Sequence, residues 1–441
     1  MSAPGEDQPT HPRPLTVGLL GCGIVGSGVV QLLRDNADEL AARLGAPLTV
    51  GPVAVRTAAR DRPVAVDRLT TDAQAVVDDP DVDIVCEVMG GIEPARSLIA
   101  RALEQGKPVV TANKELISTL GGELTELAVA NRTRLDYEAA VAGGIPIIRP
   151  LRVSLAGDRV RRVLGILNGT TNYILTKMTE EGVDFGTALG EAQRLGYAER
   201  DPTADVEGFD AAQKAAIIAS LAFDQRVVAG DVYREGITGI TDTDIELARR
   251  MGYVIKLLAI VEQRDDGAIG ARVHPSMVPV HHPLASVRES FNAAFVEADG
   301  VGELMFYGPG AGSLPTASAV VGDLVAVSRT LLSEATPPPG SGPPQAHMAP
   351  FDDAVVQFSI RLNVADQPGV LAAVASVFGE HHVSIKSVLQ EGSQDHAQLL
   401  LITHAARERN VQATLGALRE LAVVRDVDSV IRVEGGPDAV A

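Results

Sequence analysis

Tryptophan is absent from the 441-residue chain, and only 3% of its residues are aromatic, so its cores must be built from Val, Leu, Ile and Ala. Cysteine is nearly absent as well: Cys22 and Cys86 are the two thiols. They make no disulfide framework and no CxxC motif, which suits a reducing compartment and an expected cytoplasmic location. No stretch reaches the ~18 consecutive apolar residues of a membrane span. Positive charge is the minority sign, with 38 Lys and Arg against 57 Asp and Glu and a net charge of −19. That balance argues against nucleic acid or an anionic membrane surface as a partner. The opening residues, MSAPGEDQPTHPRP, are polar and Pro-rich without the apolar segment of a signal peptide, and residues 1–14 are expected to form a disordered tail.

The length suggests roughly three domains at about 150 residues each. Leu15–Leu20 reads as a buried parallel strand, and Gly21-Cys-Gly23-Ile-Val-Gly26 follows it directly. A helical pattern runs from about Ile24 to Leu44, and a second strand spans Leu48–Val55. Strand, glycine turn, helix and strand in this order are the context a dinucleotide fingerprint needs. Its glycines permit a tight turn and a close approach to a pyrophosphate at a helix N-terminus. The second strand ends not in an acid but at Arg56, which suits a 2′-phosphate; NADP(H) is therefore expected over NAD(H), the plainer alternative being a solvated loop arginine. Val82–Met89 continues as a buried strand into Gly90-Gly91, and the short strand Val109–Thr111 leads to Lys114 at a strand's carboxyl edge, where ligands bind in open α/β sheets. Both points fit an α/β, Rossmann-type domain at 15–150, completed by a small-residue helix at 315–332.

One stretch carries acid–base chemistry. Ala211–Ala222 is apolar nearly all round, which marks a buried helix, and Lys214 is the charge within it. A buried ammonium is costly unless paired, and burial moves it toward a range where it can pass a proton. Asp210 lies four residues before it on the same face. Glu199, Asp201, Asp205 and Glu207 crowd the preceding loop. A surface ion pair with helix-dipole acids is the bland alternative. Upstream, Asn168-Gly-Thr-Thr-Asn-Tyr173 reads as a polar loop opening a helix at Ile174, able to bind a polar substrate or simply to cap.

Composition then shifts. Ala335–Pro350 is a Pro/Gly run without core residues, giving a linker at 333–353. Beyond it the pattern is βαββαβ, a ferredoxin-like fold at 354–436.

Six segments occur together: GCGIVG at 21–26, TANKELIS at 111–118, EAAVAGGIPII at 138–148, NGTTNYIL at 168–175, GYAERDPTADVEGFDAAQK at 196–214 and GAGSLPTASAVVGD at 310–323. Together they resemble homoserine dehydrogenase, over nearly everything from Leu15 to Leu332. The segment Val355–Glu434, with its DQPGVL turn, resembles an ACT domain, so the chain is similar to the monofunctional bacterial type with that domain at its C-terminus. The resemblance implies an α+β catalytic and dimerisation domain at 151–314. It also implies reversible NAD(P)H-dependent reduction of L-aspartate 4-semialdehyde to L-homoserine, on the route to threonine and methionine. Gly21, Gly23, Ile24, Val25, Gly26 and Gly91 would line the dinucleotide and Arg56 the adenosine ribose phosphate. Lys114 would lie between nicotinamide and substrate. Glu199, Asp205, Asp210 and Lys214 would hold the substrate, with Lys214, Lys114 and Asp210 catalytic and Lys214 the proton donor. A sodium ion would bind Glu138 and the carbonyls of Val141, Gly143 and Ile145. Threonine would act at Asp366, Gly369, Val370 and Leu371, and a homodimer or homotetramer is expected.

Two other readings compete. An aspartate-semialdehyde dehydrogenase needs a cysteine nucleophile, and Cys22 in the glycine turn and Cys86 inside a buried strand suit that poorly. An amino-acid sensor with an inactive dehydrogenase fold would have no use for Lys114, Glu199, Asp210 and Lys214.

Overall fold

The computed structural model describes residues 13–333, 342–393 and 396–435. The expected N-terminal tail and residues 334–341 of the linker lie outside this range, apart from Arg13 and Pro14. The described chain divides into two compact units, 1–154 with 309–344, and 155–308 with 345–441.

The first unit is a six-stranded parallel sheet. Its strands are β1 (Leu15–Leu20), β2 (Leu48–Ala54), β3 (Leu69–Thr70), β4 (Ile84–Glu87), β5 (Val109–Thr111) and β6 (Leu135–Asp136), in the order β3-β2-β1-β4-β5-β6. The order reverses between β1 and β4, which is where open α/β sheets take their ligands. The helical pattern after β1 is two helices rather than one: α1 (Ile24–Asp35) ends at Asn36, which leaves helical geometry, and α2 (Ala37–Leu44) restarts there. Helices α3 (Ala73–Asp78), α4 (Ala95–Glu104) and α5 (Lys114–Ala130) complete the connections, and α11 (Ser313–Leu332) returns late in the chain. Leu19, Val29, Val30, Leu33, Ile84 and Cys86 form one core with Ala317, Val320, Leu324 and Val327 of α11. The small residues of α11 have a reason: a Cβ on Gly28 of α1 would meet the Ser313 hydroxyl and the Ala317 methyl at 2.9–3.0 Å.

The second unit is an eleven-stranded mixed sheet. Its first part has β7 (Val160–Ile166), β9 (Tyr253–Gln263), β10 (Ile269–Pro279), β11 (Phe291–Ala298) and β12 (Gly302–Pro309), with the two-residue β8 (Tyr233–Arg234) beside β10. Helices α6 (Gly169–Glu181), α7 (Phe185–Leu195), α8 (Thr203–Val206), α9 (Phe209–Ala222) and α10 (Asp242–Arg250) accompany them. The second part is β13 (Val355–Val364), α12 (Val370–Glu380), β14 (Ile385–Ser393), β15 (His396–Thr403), the short β16 (Ala406–Arg407), α13 (Glu408–Glu420) and β17 (Val424–Val433). Its strands run β17-β13-β15-β14, the ferredoxin-like order, over a core of Phe358, Ile360, Leu362, Val374, Phe378, Leu401 and Leu415. β17 pairs in parallel with β10 through Ser276↔Arg432 and Met277↔Val433, so the two parts share one sheet. The later part of the expected linker does more than connect. His347 and Ala349 exchange backbone hydrogen bonds with Ile269 at 2.8 Å, and Phe351 stacks on Tyr233 at 3.5 Å between ring centres.

Candidate functional site

In the first unit, Gly21 has φ +102°, a conformation other residues avoid. A methyl on Gly26 would run into the Gly21 carbonyl oxygen, so this pair sets the tightness of the turn. Gly23, at the start of α1, is exposed, with no atom within 4 Å of where its Cβ would be. Its open backbone at a helix N-terminus is a cradle for a dinucleotide pyrophosphate, and these residues fit one. Ile24 beside it is 75% exposed, and Val25 is half-buried. Arg56 is exposed just beyond β2, whereas Arg62 folds back on the loop, donating to the carbonyls of Thr57, Ala58 and Arg60 at 2.6–3.1 Å.

Across the switch point lies a network the sequence reading passed over. Glu87, fully buried at the end of β4, accepts hydrogen bonds from the backbone N–H groups of Met89 (2.7 Å) and Gly90 (3.1 Å) and from the Thr111 hydroxyl (2.6 Å). Asn113 donates to the Gly91 carbonyl at 2.7 Å, and its side-chain oxygen caps α5 at Leu116 N (3.1 Å). The Gly90-Gly91 turn, both residues at positive φ, is thereby tied to the residues that present Lys114 at the first position of α5. An acid closing an apolar strand, VDIVCE, was the available signal.

Glu138 is buried, and its carboxylate accepts the N–H groups of Ile147, Ile148 and Arg149 at 2.7–2.8 Å. Asp323 of α11 accepts from Glu138 N at 2.7 Å and pairs with Arg149. The bonds of the intervening turn run from Gly144 N to Pro309 O and from Ile145 N to Ala142 O. The carbonyl oxygens of Val141, Gly143 and Ile145 stand outside those two bonds. Oxygen donors beside a carboxylate fit a hard monovalent cation.

In the second unit the acid–base stretch is as buried as its pattern implied. Gly208, at φ +78°, reverses the chain between α8 and α9. Lys214 is 8% exposed and Asp210 7%. The Lys214 ammonium donates to Asp210 Oδ2 at 2.7 Å and to the Leu167 carbonyl at 2.6 Å. Asn168 both caps and binds: its oxygen accepts Thr171 N at 2.8 Å, while its amide donates to Asp205 Oδ1 (2.7 Å) and Asp210 Oδ2 (2.9 Å). The polar run at 168–173 is therefore not a loop before the helix but its cap and first turn, because α6 starts at Gly169. Burial lifts the Asp205 carboxyl above the ordinary range; the Asn168 hydrogen bond and the Lys214 charge oppose this, and the Asp210 charge adds to it. Asp205, Asp210, Lys214 and Asn168 thus form one cluster. Glu199 has an exposed side chain, and its backbone carbonyl accepts from Gln193 at 3.1 Å. Among the C-terminal candidates, Gly369 (φ +90°) starts α12, Val370 is buried, and Asp366 and Leu371 are exposed.

Neither cysteine is placed to be a nucleophile. Cys86 is fully buried, and burial pushes its thiol far up, while Cys22 packs against Ser27 at 3.6 Å.

A glycine turn at the switch point of a parallel sheet, and a buried amine held by a carboxylate, define an NAD(P)-dependent oxidoreductase. Comparison with known proteins narrows the class. Family models described as "Homoserine dehydrogenase, NAD binding domain", "Homoserine dehydrogenase" and "ACT domain" match residues 21–138, 146–325 and 358–423. A curated homoserine dehydrogenase of Mycobacterium tuberculosis is 51% identical over 437 residues, 97% of this chain and 99% of that protein. One from Corynebacterium glutamicum is 49% identical over 95% of both. The crystal structure of a homoserine dehydrogenase from Thiobacillus denitrificans superposes with a TM-score of 0.89 at 40% identity, covering 96% of this chain and 98% of that one. A hyperthermophilic archaeal homoserine dehydrogenase in complex with NADPH matches 71% of this chain and 98% of its own, with a TM-score of 0.61 at 28% identity. The chain belongs to the homoserine dehydrogenase family. No described helix is long and apolar enough to cross a membrane.

Proposed function

We propose that the chain reduces L-aspartate 4-semialdehyde reversibly to L-homoserine in the cytoplasm, on the route to threonine and methionine. The observation that carries this reading is the buried Lys214–Asp210–Asn168–Asp205 cluster. A bound nicotinamide supplies the hydride to the aldehyde carbon. The aldehyde oxygen then gains negative charge, which the Lys214 ammonium stabilises and to which it gives a proton. Asp210 and the Leu167 carbonyl keep Lys214 in one orientation for that transfer. Asp205, Asp210 and Glu199 offer carboxylates to the substrate's α-ammonium, and Lys114, at the start of α5, would serve the nicotinamide side.

Gly21, Gly23, Ile24, Val25, Gly26 and Gly91 would line the dinucleotide. Arg56, exposed beyond β2, favours a 2′-phosphate and so NADP(H) over NAD(H), in keeping with the NADPH held by the archaeal relative. Glu138 and the carbonyls of Val141, Gly143 and Ile145 would hold a sodium ion. Threonine, the end product, is the natural effector at Asp366, Gly369, Val370 and Leu371, and the protein works as a homodimer or homotetramer.

Homoserine oxidation followed by nicotinamide absorbance, with NADP⁺ and NAD⁺ in parallel and with threonine present or absent, tests this. Turnover that favours NADP⁺ and falls with threonine is expected. A folded protein with no turnover in either direction would overturn the substrate assignment. Equal efficiency with both cofactors would remove the role of Arg56, and indifference to threonine the regulatory one.

A further inference from the structure

We propose that Arg432, on the last strand of the ACT domain, is a positioning residue for the carboxylate Asp205, acting through Glu235. This rests on the reading of Asp205 as part of the substrate site.

Asp205 lies on α8, which is four residues long. A helix of one turn has no stability of its own and needs outside support. The support is the segment 235–238. Ile237 N donates to the Val206 carbonyl at 2.8 Å, and the Thr238 hydroxyl donates to Glu207 Oε1 at 3.0 Å. Gly236 approaches so closely that a methyl there would run into the Val206 carbonyl oxygen and meet Glu207 Cα at 2.7 Å. The segment therefore acts as a splint along α8, and any shift in it moves the element that holds Asp205 against Asn168.

The start of the splint is anchored twice. Tyr233 and Arg234 pair with Arg272 and Val273 of β10, and Glu235 N donates to the Val273 carbonyl at 2.8 Å. The second anchor comes from the ACT domain and the segment before it. Arg432, 5% exposed, donates to Glu235 Oε2 at 2.8 Å. Its other two nitrogens fork onto Glu408 at 2.8 and 2.9 Å. The guanidinium carbon lies 5.0 Å from the Phe351 ring centre and 5.6 Å from that of Tyr233, and the two rings stack. The planar, forked head of arginine reaches both acids at once, which lysine cannot do.

The test is steady-state kinetics on the full chain. Glu235→Ala leaves the buried Arg432–Glu408 pair intact and its side chain is 42% exposed, so this variant keeps the fold. The KM for homoserine is expected to rise by about three- to tenfold in Glu235→Ala and in Arg432→Lys, with kcat and the cofactor KM within about twofold. The double variant should be no worse than either single one. Asp205→Asn runs alongside. A raised homoserine KM there, with an unchanged one in Glu235→Ala, overturns the link alone. An unchanged KM in Asp205→Asn overturns the site reading and the proposal with it.

Discussion

Two lysines are buried in the second unit, and their surroundings differ. Lys214, on α9, is held by a carboxylate and a carbonyl. Lys256, on β9, is 4% exposed and donates to two neutral oxygens, Asn172 Oδ1 at 3.0 Å and the Val287 carbonyl at 2.5 Å. Burial pushes the Lys256 ammonium down to about 8; the Glu180 charge resists this and the Arg288 charge adds to it. In sequence the two look alike, each the single charge in an apolar run, AAQKAAII and YVIKLLAIV. Being alone in such a run therefore reports burial and not chemistry. What sets Lys214 apart is its company: Asp210 one helical turn earlier, and Asn168 arriving from a distant part of the chain. Lys256 instead ties the loop at Val287 to α6, a job of packing.

The largest expected effect separates the two. Lys214→Ala should lower kcat by about 10²- to 10⁴-fold, with NADPH binding, followed by fluorescence titration, little changed. A variant that turns over like the parent would put the proton donor elsewhere. Next comes Asp210→Asn, which keeps the shape and removes the charge that holds Lys214. The loss of a charge-assisted bond of about 1.5–3 kcal/mol should appear mainly in kcat/KM for homoserine, and loss in the cofactor KM instead would contradict the geometry.

The smallest effect belongs to Lys256→Met, with kcat within about threefold of the parent. Its signature is in stability. Between about 8 and the ordinary lysine value the unfolded chain holds the proton that the folded chain has lost, so wild-type stability rises with pH in that window. The methionine variant lacks this rise. Denaturant melts at several pH values should show the parent gaining on it above pH 8. A pH-independent difference would mean that Lys256 is not the strained group it looks to be.

Much of this was legible early, and for physical reasons. The glycine turn depends on backbone alone, so spacing reveals it. The Asp210–Lys214 pair is local, so helix period reveals it. Glu199 was grouped with the same acids by closeness in sequence, yet its side chain is exposed while Asp205 and Asp210 are buried and share Asn168. Contacts between distant strands stayed hidden. Arg162, Glu262, Arg272 and Glu434 form a buried charge cluster, but along alternating strands they read as ordinary outward residues. Glu87 left only the signal of an acid closing an apolar strand, because its tie to the Thr111 hydroxyl on the neighbouring strand β5 cannot be read from local spacing.

The seam between β10 and β17 sets a limit on how the molecule can be shortened. Cutting the chain in the Pro/Gly segment would remove β17 from β10 at Ser276 and Met277 and leave Arg162 and Arg272 with Glu262 but without Glu434. A newly opened sheet edge invites other chains to add to it, and taking one carboxylate out of a buried charge cluster is costly. A chain shortened in this way would therefore tend to precipitate.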